Sequence, residues 1–155
     1  MKIEIKDMPE IATEIIHKAF YGKTDLAGYS YYAHCIRVEK GCYSEYKGCV
    51  FIDPEISTIA LLHDLLEDCE EWNDIVLSYF FTDRIVEGVI SLTKLKNESY
   101  NAYIDRLSKN KDAIKVKLSD LRDNMDITRF KLPLEQKDID RLCKYQHAYL
   151  FLTNI

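Results

Sequence analysis

Glycine and proline are scarce in this chain. Its 155 residues include only five glycines and three prolines, and residues 55–132 contain no proline and one glycine, Gly88. Sheets joined by tight turns need these residue types, so long stretches without them favour helices. The alternation in KIEIK near the N terminus is compatible with a short strand, but a lone strand has no partner. The sequence therefore predicts an all-α fold, a compact bundle of several helices.

The chain also lacks a long apolar run and an excess of basic residues. No stretch approaches the ~18 apolar residues that span a bilayer, and the N terminus has no apolar segment of the signal-peptide kind. The formal net charge of −5 argues against a general nucleic-acid-binding protein, which would present a basic face. We expect a cytoplasmic protein that binds neither membrane nor nucleic acid. A small anionic ligand stays compatible with a local metal ion or a few lysines.

CxxC pairs of cysteines are missing as well. The five cysteines are odd in number and none lies in a CxxC spacing. This pattern argues against a zinc cluster and favours the reduced thiols of a cytoplasmic protein. The chain has no internal repeat, low-complexity tract or obvious linker, so residues 1–155 are expected to form a single domain.

Local signals predict where the helices begin and end. Loops are expected at YGKTDLAG and GCYSEYKG. The predicted helices are one after Pro9 with Ile11, Ile15 and Ala19 buried, one at 30–40, one opened by Asp53 and Pro54 and continuing through residues 60–70, one near 72–80, one at 83–95 capped by Thr82, one capped by Asn97, one opened by Asn110, and one from about Glu135 to Leu152.

The segment ALLHDLLEDCE at residues 60–70 places four polar groups in an otherwise apolar run. On a continuous helix, these groups share a sector of roughly 140° on one side, since they are three or four residues apart. They are His63, Asp64, Glu67 and Asp68. Three carboxylates in a water-poor site repel one another and lose hydration, which is costly for every unpaired ion.

A divalent cation at this patch would remove both problems. His63 and Asp64 offer an imidazole nitrogen and a carboxylate oxygen, which manganese, iron and zinc accept. Two ligands are too few, and His34 and Asp120 are candidates for the others. Taken alone, His34 is compatible with a hydrogen-bonded core histidine and Asp120 with a solvated helix face. Considered with the His63–Asp64 pair, both favour a metal site.

These residues resemble a known pattern. An adjacent His-Asp pair with an upstream histidine and a downstream aspartate is similar to the metal site of the HD-domain phosphohydrolases. The longer motif HDLLED, with YYAH before it and KLSDLRDNM after it, resembles the RelA/SpoT-type alarmone hydrolases. Their pattern is a tyrosine three residues before the first histidine, then HDxxED, then KLADRLxNM. The resemblance covers roughly residues 9–130 and, with no synthetase region following, is typical of small stand-alone alarmone hydrolases.

The resemblance implies an HD-domain bundle around one metal ion. It assigns Mn²⁺, or another divalent transition metal, to His34, His63, Asp64 and Asp120. Glu67 and Asp68 are the implied catalytic residues, placed beyond the metal to position and deprotonate its water. The alternative for Glu67 and Asp68 is that they only support His63.

The resemblance also implies substrate contacts, with departures from the family pattern. Lys23 stands where stand-alone members carry an arginine, Asn124 shares the helix face of Asp120, and Tyr31 matches the family's tyrosine, for which a core aromatic is the alternative. The departures are Cys35 for a proline, Asn101 for an arginine, Asp123 for a histidine or tyrosine, and Ile127 for a threonine. The metal site is therefore expected to be intact, while the substrate contacts are altered.

The leading hypothesis is Mn²⁺-dependent hydrolysis of guanosine 3′,5′-bis(diphosphate) or its pentaphosphate form to GDP or GTP and pyrophosphate. One alternative keeps the metal chemistry on another nucleotide, namely an adenine alarmone, NADPH 2′-phosphate or a nucleoside monophosphate. The other is a weakly active module that binds an alarmone or resembles an antitoxin. The expected partner is a small nucleotide, and the oligomeric state is left open.

Overall fold

Helices make up most of the protein. A computed structural model describes residues 3–155, which contain nine α-helices and a two-stranded antiparallel sheet. The helices are α1 (Met8–Ala19), α2 (Tyr31–Lys40), α3 (Pro54–Leu62), α4 (Leu65–Asp68), α5 (Asp74–Phe80), α6 (Asp83–Leu92), α7 (Tyr100–Leu107), α8 (Lys111–Met125) and α9 (Gln136–Thr153), and the strands are β1 (Ser44–Tyr46) and β2 (Cys49–Phe51). The all-α prediction is confirmed. Within these residues, no helix combines the length and the apolar character that crossing a membrane requires.

Most helix starts follow their predicted caps. The side chains of Asp53, Thr82 and Asn110 each accept a hydrogen bond from a backbone N–H group in the first turn of α3, α6 and α8. The prediction for α7 was wrong, because Ser99 caps this helix by accepting from the N–H group of Ala102. Asn97 lies in the preceding turn with φ of +66°, a conformation that asparagine tolerates better than most residues.

Two segments differ from their predicted conformation. The expected loop GCYSEYKG contributes to a hairpin in which β1 pairs with β2. Its two-residue turn, Lys47 and Gly48, has positive φ at both positions, which is the turn geometry that matches the twist of a hairpin. The alternating segment near the N terminus instead contains a 3₁₀ helix, Ile5–Asp7. The hairpin is the only sheet within residues 3–155, so it does not change the fold class.

The helix predicted through residues 60–70 is broken. Helix α3 ends at Leu62 and α4 begins at Leu65, with His63 and Asp64 in the turn between them. Asp64 has φ of −104° and ψ of 2°, outside the helical region. The imidazole of His63 donates to the carbonyl of Ala60, a side-chain contact that competes with regular helix geometry. The four polar residues therefore do not lie on one continuous helix.

Helix α3 forms the centre of the core. Residues 56–62 are all buried, and α3 packs against α1, α2, α6 and α8. Gly88 of α6 permits close packing there, since a Cβ atom at this position would lie 2.6 Å from Cδ1 of Ile59. On α1 the prediction was shifted by one residue: the buried positions are Met8, Ala12 and Ile16, whereas Ile11, Ile15 and Ala19 are only partly buried. This packing fixes the ends of α2, α3 and α8 near one another.

Candidate metal centre

The four predicted metal ligands meet at one buried point. His34 extends from α2, Asp120 from α8, and His63 and Asp64 from the turn between α3 and α4. The Nε2 atom of His34 lies 3.3 Å from Oδ1 of Asp120 and 3.7 Å from Oδ2 of Asp64. The donor atoms of His34, His63 and Asp120 all lie within 4.8 Å of one another. Two imidazoles and two carboxylates form a donor set that manganese, iron and zinc accept.

His63 offers the clearest sign that the cluster fits a metal. Its Nδ1 atom lies 2.8 Å from the carbonyl oxygen of Ala60 and donates to it, so the neutral ring carries a lone pair on Nε2. This Nε2 atom is buried and has no hydrogen-bond partner among the described residues. Oδ2 of Asp64, another predicted ligand, is 2.8 Å away. A buried polar atom left unpaired costs about 1–3 kcal/mol, which coordination of a cation would offset.

The electrostatics of the cluster keep its carboxylates ionised and raise the pKa of its imidazoles. Burial alone would lower the pKa of both histidines, but Asp120 and the neighbouring carboxylates raise the pKa of His34 to about 11, and Asp64 raises the pKa of His63. Burial alone would raise the pKa of both aspartates, yet His63 holds the pKa of Asp64 well below its usual range, and Lys117 does the same for Asp120. The carboxylates are therefore ionised at neutral pH, and a metal would compete with protons for the imidazoles.

Lys117 is a largely buried member of the site to which the sequence analysis assigned no role. Its Nζ atom lies 2.8 Å from Oδ2 of Asp120, and 5.3 Å from the ring centroid of Tyr103. Burial opposes the charge of Lys117, but Asp120 raises the pKa of the ammonium group well above its usual value. Asp120 therefore binds a permanent cation on one oxygen and faces the histidines with the other. In the sequence, Lys117 is the first residue of the KLSDLRDNM motif, three residues before Asp120 on one helix.

Tyr31 and Asn124, which were predicted to contact substrate, contact the carboxylates of two predicted ligands. The hydroxyl group of Tyr31 donates to Oδ2 of Asp64 at 2.6 Å, and burial together with Asp64 raises its pKa, so it stays protonated. The amide of Asn124 donates to Oδ1 of Asp120 at 2.6 Å. Both side chains also line the cavity next to the cluster. Their contact with a substrate stays a prediction, and their observed role is to orient the two aspartates.

A cavity of about 390 Å³ opens next to the cluster. Three of the four predicted ligands line it, together with Glu67 and Asp68, which are exposed and not in the water-poor patch that the sequence predicted. Glu67 accepts a hydrogen bond from the backbone N–H group of Lys94, and burial raises its pKa. Burial and the charge of Asp64 also raise the pKa of Asp68. A carboxyl group whose pKa moves towards neutrality is suited to accept and return a proton.

Lys23 lies on the other side of Asp68. Its Nζ atom donates to the backbone carbonyl of Asp68 at 2.7 Å. Lys23 is not one of the residues that line the cavity next to the cluster. It lines a larger cavity of about 780 Å³, formed by α1 together with residues such as Asp68 and Trp72, in which none of the predicted ligands takes part. The contact between Lys23 and a substrate at the cluster stays a prediction. The position of Lys23 outside this cavity does not favour it.

Two lysines that line the same cavity were not predicted to take part in the site. Lys94 and Lys144 line it, as do Tyr100 and Tyr145. The Nζ atom of Lys144 lies 4.7 Å from the ring centroid of Tyr100 and 5.3 Å from that of Tyr145. These residues come from α7, α9 and the segment after α6, which the fold brings together. No spacing in the sequence connects them, and residues 144 and 145 lie beyond the range of the family resemblance.

The residues that depart from the family pattern occupy different environments. Cys35 is fully buried in the core, Asn101 is exposed, and Ile127 is 52% exposed. Asp123 lies closest to the cluster, since its Oδ2 atom is 2.7 Å from Nδ1 of His34. Burial alone would raise the pKa of Asp123, but His34 and Arg37 hold it at about 2. Of the four departures, Asp123 is therefore the one that bears directly on a predicted ligand.

Compared with models of protein families and with curated proteins, the chain matches none. The fold and the geometry of the site define an all-α protein with a buried His/Asp cluster that could hold a metal ion. Membership in the HD-domain family stays a prediction from the motifs.

Proposed function

We propose that this protein is a metal-dependent phosphohydrolase that acts on a phosphorylated nucleotide, with guanosine 3′,5′-bis(diphosphate) as the first substrate to test. The observation that carries the proposal is the convergence of His34, His63, Asp64 and Asp120 beside a cavity of about 390 Å³. The choice of nucleotide rests on the sequence motifs alone.

The four converging residues would hold the metal, with Mn²⁺ as the proposed ion. A divalent cation supplies a Lewis acid that polarises phosphoryl oxygens and acidifies water. The unpaired Nε2 atom of His63 supports this assignment. So do the hydrogen bonds from Tyr31 to Asp64 and from Asn124 to Asp120, because they hold each carboxylate in one orientation.

Glu67 and Asp68 are the proposed proton acceptors. Both line the cavity without belonging to the converging donor set, and the pKa of each is raised by burial. The hydrogen bond from the N–H group of Lys94 holds Glu67 in place. A carboxylate in this position can take a proton from an attacking water and return it to the leaving group. These two residues therefore serve the reaction as general bases rather than as ligands.

Part of the cavity lining suits an anionic nucleotide. Lys94 and Lys144 offer positive charge for phosphate oxygens, and the rings of Tyr100 and Tyr145, which lie beside Nζ of Lys144, line the same part of the cavity. Lys144 is exposed and forms no salt bridge with the described residues, so its ammonium group is available to a ligand. This charge lies close to the acidic cluster in a protein whose net charge is −5. This separation of positive and negative charge supports a substrate that contacts both the metal and the two lysines.

The test is an assay of the purified protein with Mn²⁺ against a nucleotide panel. The panel contains guanosine 3′,5′-bis(diphosphate), its adenine counterpart, NADPH and a nucleoside monophosphate, and the products are identified by chromatography. We expect GDP and pyrophosphate from the first, and no turnover with EDTA or with Asp64→Asn. Faster turnover of another nucleotide in the panel would identify that nucleotide as the better substrate. Saturable binding without any product would favour a binding module and contradict the proposal.

Lys144→Ala and Lys23→Ala form a matched pair for the substrate site. Loss of Lys144 should raise KM about tenfold with little change in kcat, which corresponds to one charge-assisted contact of ~1.5 kcal/mol. Lys23→Ala should have a smaller effect, because Lys23 binds the carbonyl of Asp68 outside the cavity. The opposite order of the two KM values would show that the substrate approaches over Lys23.

A further inference from the structure

The second ring nitrogen of His34 has a carboxylate partner. Nδ1 lies 2.7 Å from Oδ2 of Asp123, and both side chains are almost buried, with 3% and 10% of their surface exposed. A carboxylate that accepts from Nδ1 keeps a proton on that nitrogen, so the neutral ring, the form that binds a metal, has its lone pair on Nε2. Nε2 is the atom that faces Asp120 and Asp64. The tautomer that Asp123 favours is therefore the one that a metal ligand needs.

Asp123 is itself held by two arginines. Arg37 of α2 binds both of its oxygens, with Nε 2.6 Å from Oδ1 and Nη2 3.1 Å from Oδ2. Arg129 adds a contact of 3.2 Å to Oδ2 and a hydrogen bond of 2.6 Å to the backbone carbonyl of Asp123. This two-point grip of Arg37 fixes the plane of the carboxylate, which a single hydrogen bond would not.

Asp25 completes the network on the side of the cavity. Its Oδ2 atom accepts from Arg37 at 2.9 Å and from Arg129 at 2.8 Å. Its Oδ1 atom accepts from the backbone N–H groups of Ala27 and Tyr29, which closes the loop after Lys23. Two carboxylates and two guanidinium groups balance in charge, which makes their burial tolerable. Asp25 reaches the same arginines as Asp123 but does not contact His34.

We infer that Asp123 is a positioning residue that holds His34 with Nε2 directed at the metal cluster, and that Arg37 and Arg129 fix Asp123 for this role. The inference rests on the proposed metal-dependent function. A carboxylate behind a ligand histidine fixes the ring orientation and increases the basicity of the ligand. The competing explanation is an ion-pair network that only joins α2, α8 and the loop at Asp25.

The test compares Mn²⁺ affinity in Asp123→Asn and Asp25→Asn, measured from the free-Mn²⁺ signal in electron paramagnetic resonance at one pH. Each substitution removes one carboxylate from the same pair of arginines, but only the first removes the partner of His34. We expect Asp123→Asn to weaken Mn²⁺ binding by roughly 10- to 100-fold and Asp25→Asn to leave it close to wild type. Equal affinity in wild type and Asp123→Asn would overturn the inference, as would equal losses in both variants.

A second measurement does not depend on the folding of a variant. Long-range ¹⁵N–¹H spectra of the wild-type protein with Zn²⁺, a diamagnetic ion, report which nitrogen of His34 carries the proton. We expect a proton on Nδ1 and the metal on Nε2, and a proton on Nε2 would overturn the inference. Failure of the wild-type protein to bind Mn²⁺ or Zn²⁺ would instead overturn the proposed function and this inference with it.

Discussion

Replacing Asp120 with asparagine should destabilise the fold, because this carboxylate neutralises a buried lysine. Nζ of Lys117 lies 2.8 Å from Oδ2 of Asp120, and only 13% and 6% of the two side chains are exposed. Asparagine keeps the shape of the side chain but removes its charge. Loss of one partner from a buried ion pair typically costs about 3–5 kcal/mol, and the amide oxygen can still accept one hydrogen bond, so we expect about 3 kcal/mol.

Urea unfolding followed by far-ultraviolet circular dichroism, with EDTA present, measures this loss. The matched variant is Lys117→Met/Asp120→Asn, which removes both charges while keeping a long side chain at position 117. It should regain part of the stability that Asp120→Asn loses, since no buried charge is left unpaired. If the double variant is as unstable as Asp120→Asn, Lys117 and Asp120 are not coupled and the reasoning fails.

The single variant Asp120→Asn also tests whether Asp120 binds the metal. An ion that binds only the folded protein stabilises it by about 2.7 kcal/mol when present at 100 times its Kd. Mn²⁺ should therefore raise the unfolding free energy of the wild-type protein and leave that of Asp120→Asn unchanged. Equal stabilisation of both would show that Asp120 is not a ligand.

Two further predictions concern the acids around the site. Glu67→Gln should reduce kcat by about 10²- to 10⁴-fold, as for the loss of a general base. Its Mn²⁺ affinity, measured by electron paramagnetic resonance, should stay unchanged. Release of the metal would show that Glu67 is a ligand instead. For Asp25, burial alone would raise the pKa, but the N–H group of Tyr29 and the guanidinium groups of Arg129 and Arg37 lower it below 3.8. The contacts of the ionised Asp25 stabilise the fold above about pH 4, and this stabilisation is lost as the pH falls through the folded-state pKa. Urea unfolding should therefore find Asp25→Asn destabilised at about pH 7 and nearer to wild type at about pH 3. An equal difference from wild type at both pH values would contradict this prediction.

Local signals in the sequence were sufficient for most of the helices. Asp53, Thr82 and Asn110 act on backbone groups two or three residues away, so their capping role depends little on the rest of the fold. The failures have local causes as well. At the start of α7, Ser99 took the role expected of Asn97, and the ring of His63 replaced helix geometry by binding the carbonyl of Ala60. The broken helix therefore coincides with the residues of the candidate site.

The residue types in the motifs determined which side chains could form a metal site, and the fold brought His34, His63, Asp64 and Asp120 together as their chemistry suggested. A carboxylate that is buried in an apolar segment needs a compensating partner, which can be a metal ion or a cationic side chain.

Only the tertiary structure decided what surrounds this cluster. The contact between Asp123 and His34 joins residues 89 positions apart, and that between Arg129 and Asp25 joins residues 104 apart. Lys144 reaches the cavity because α9 packs against α7 and α8. Hydrogen bonds within a helix are set by neighbours in the chain, whereas such long-range pairs depend on how whole helices pack, so no local pattern could have indicated them.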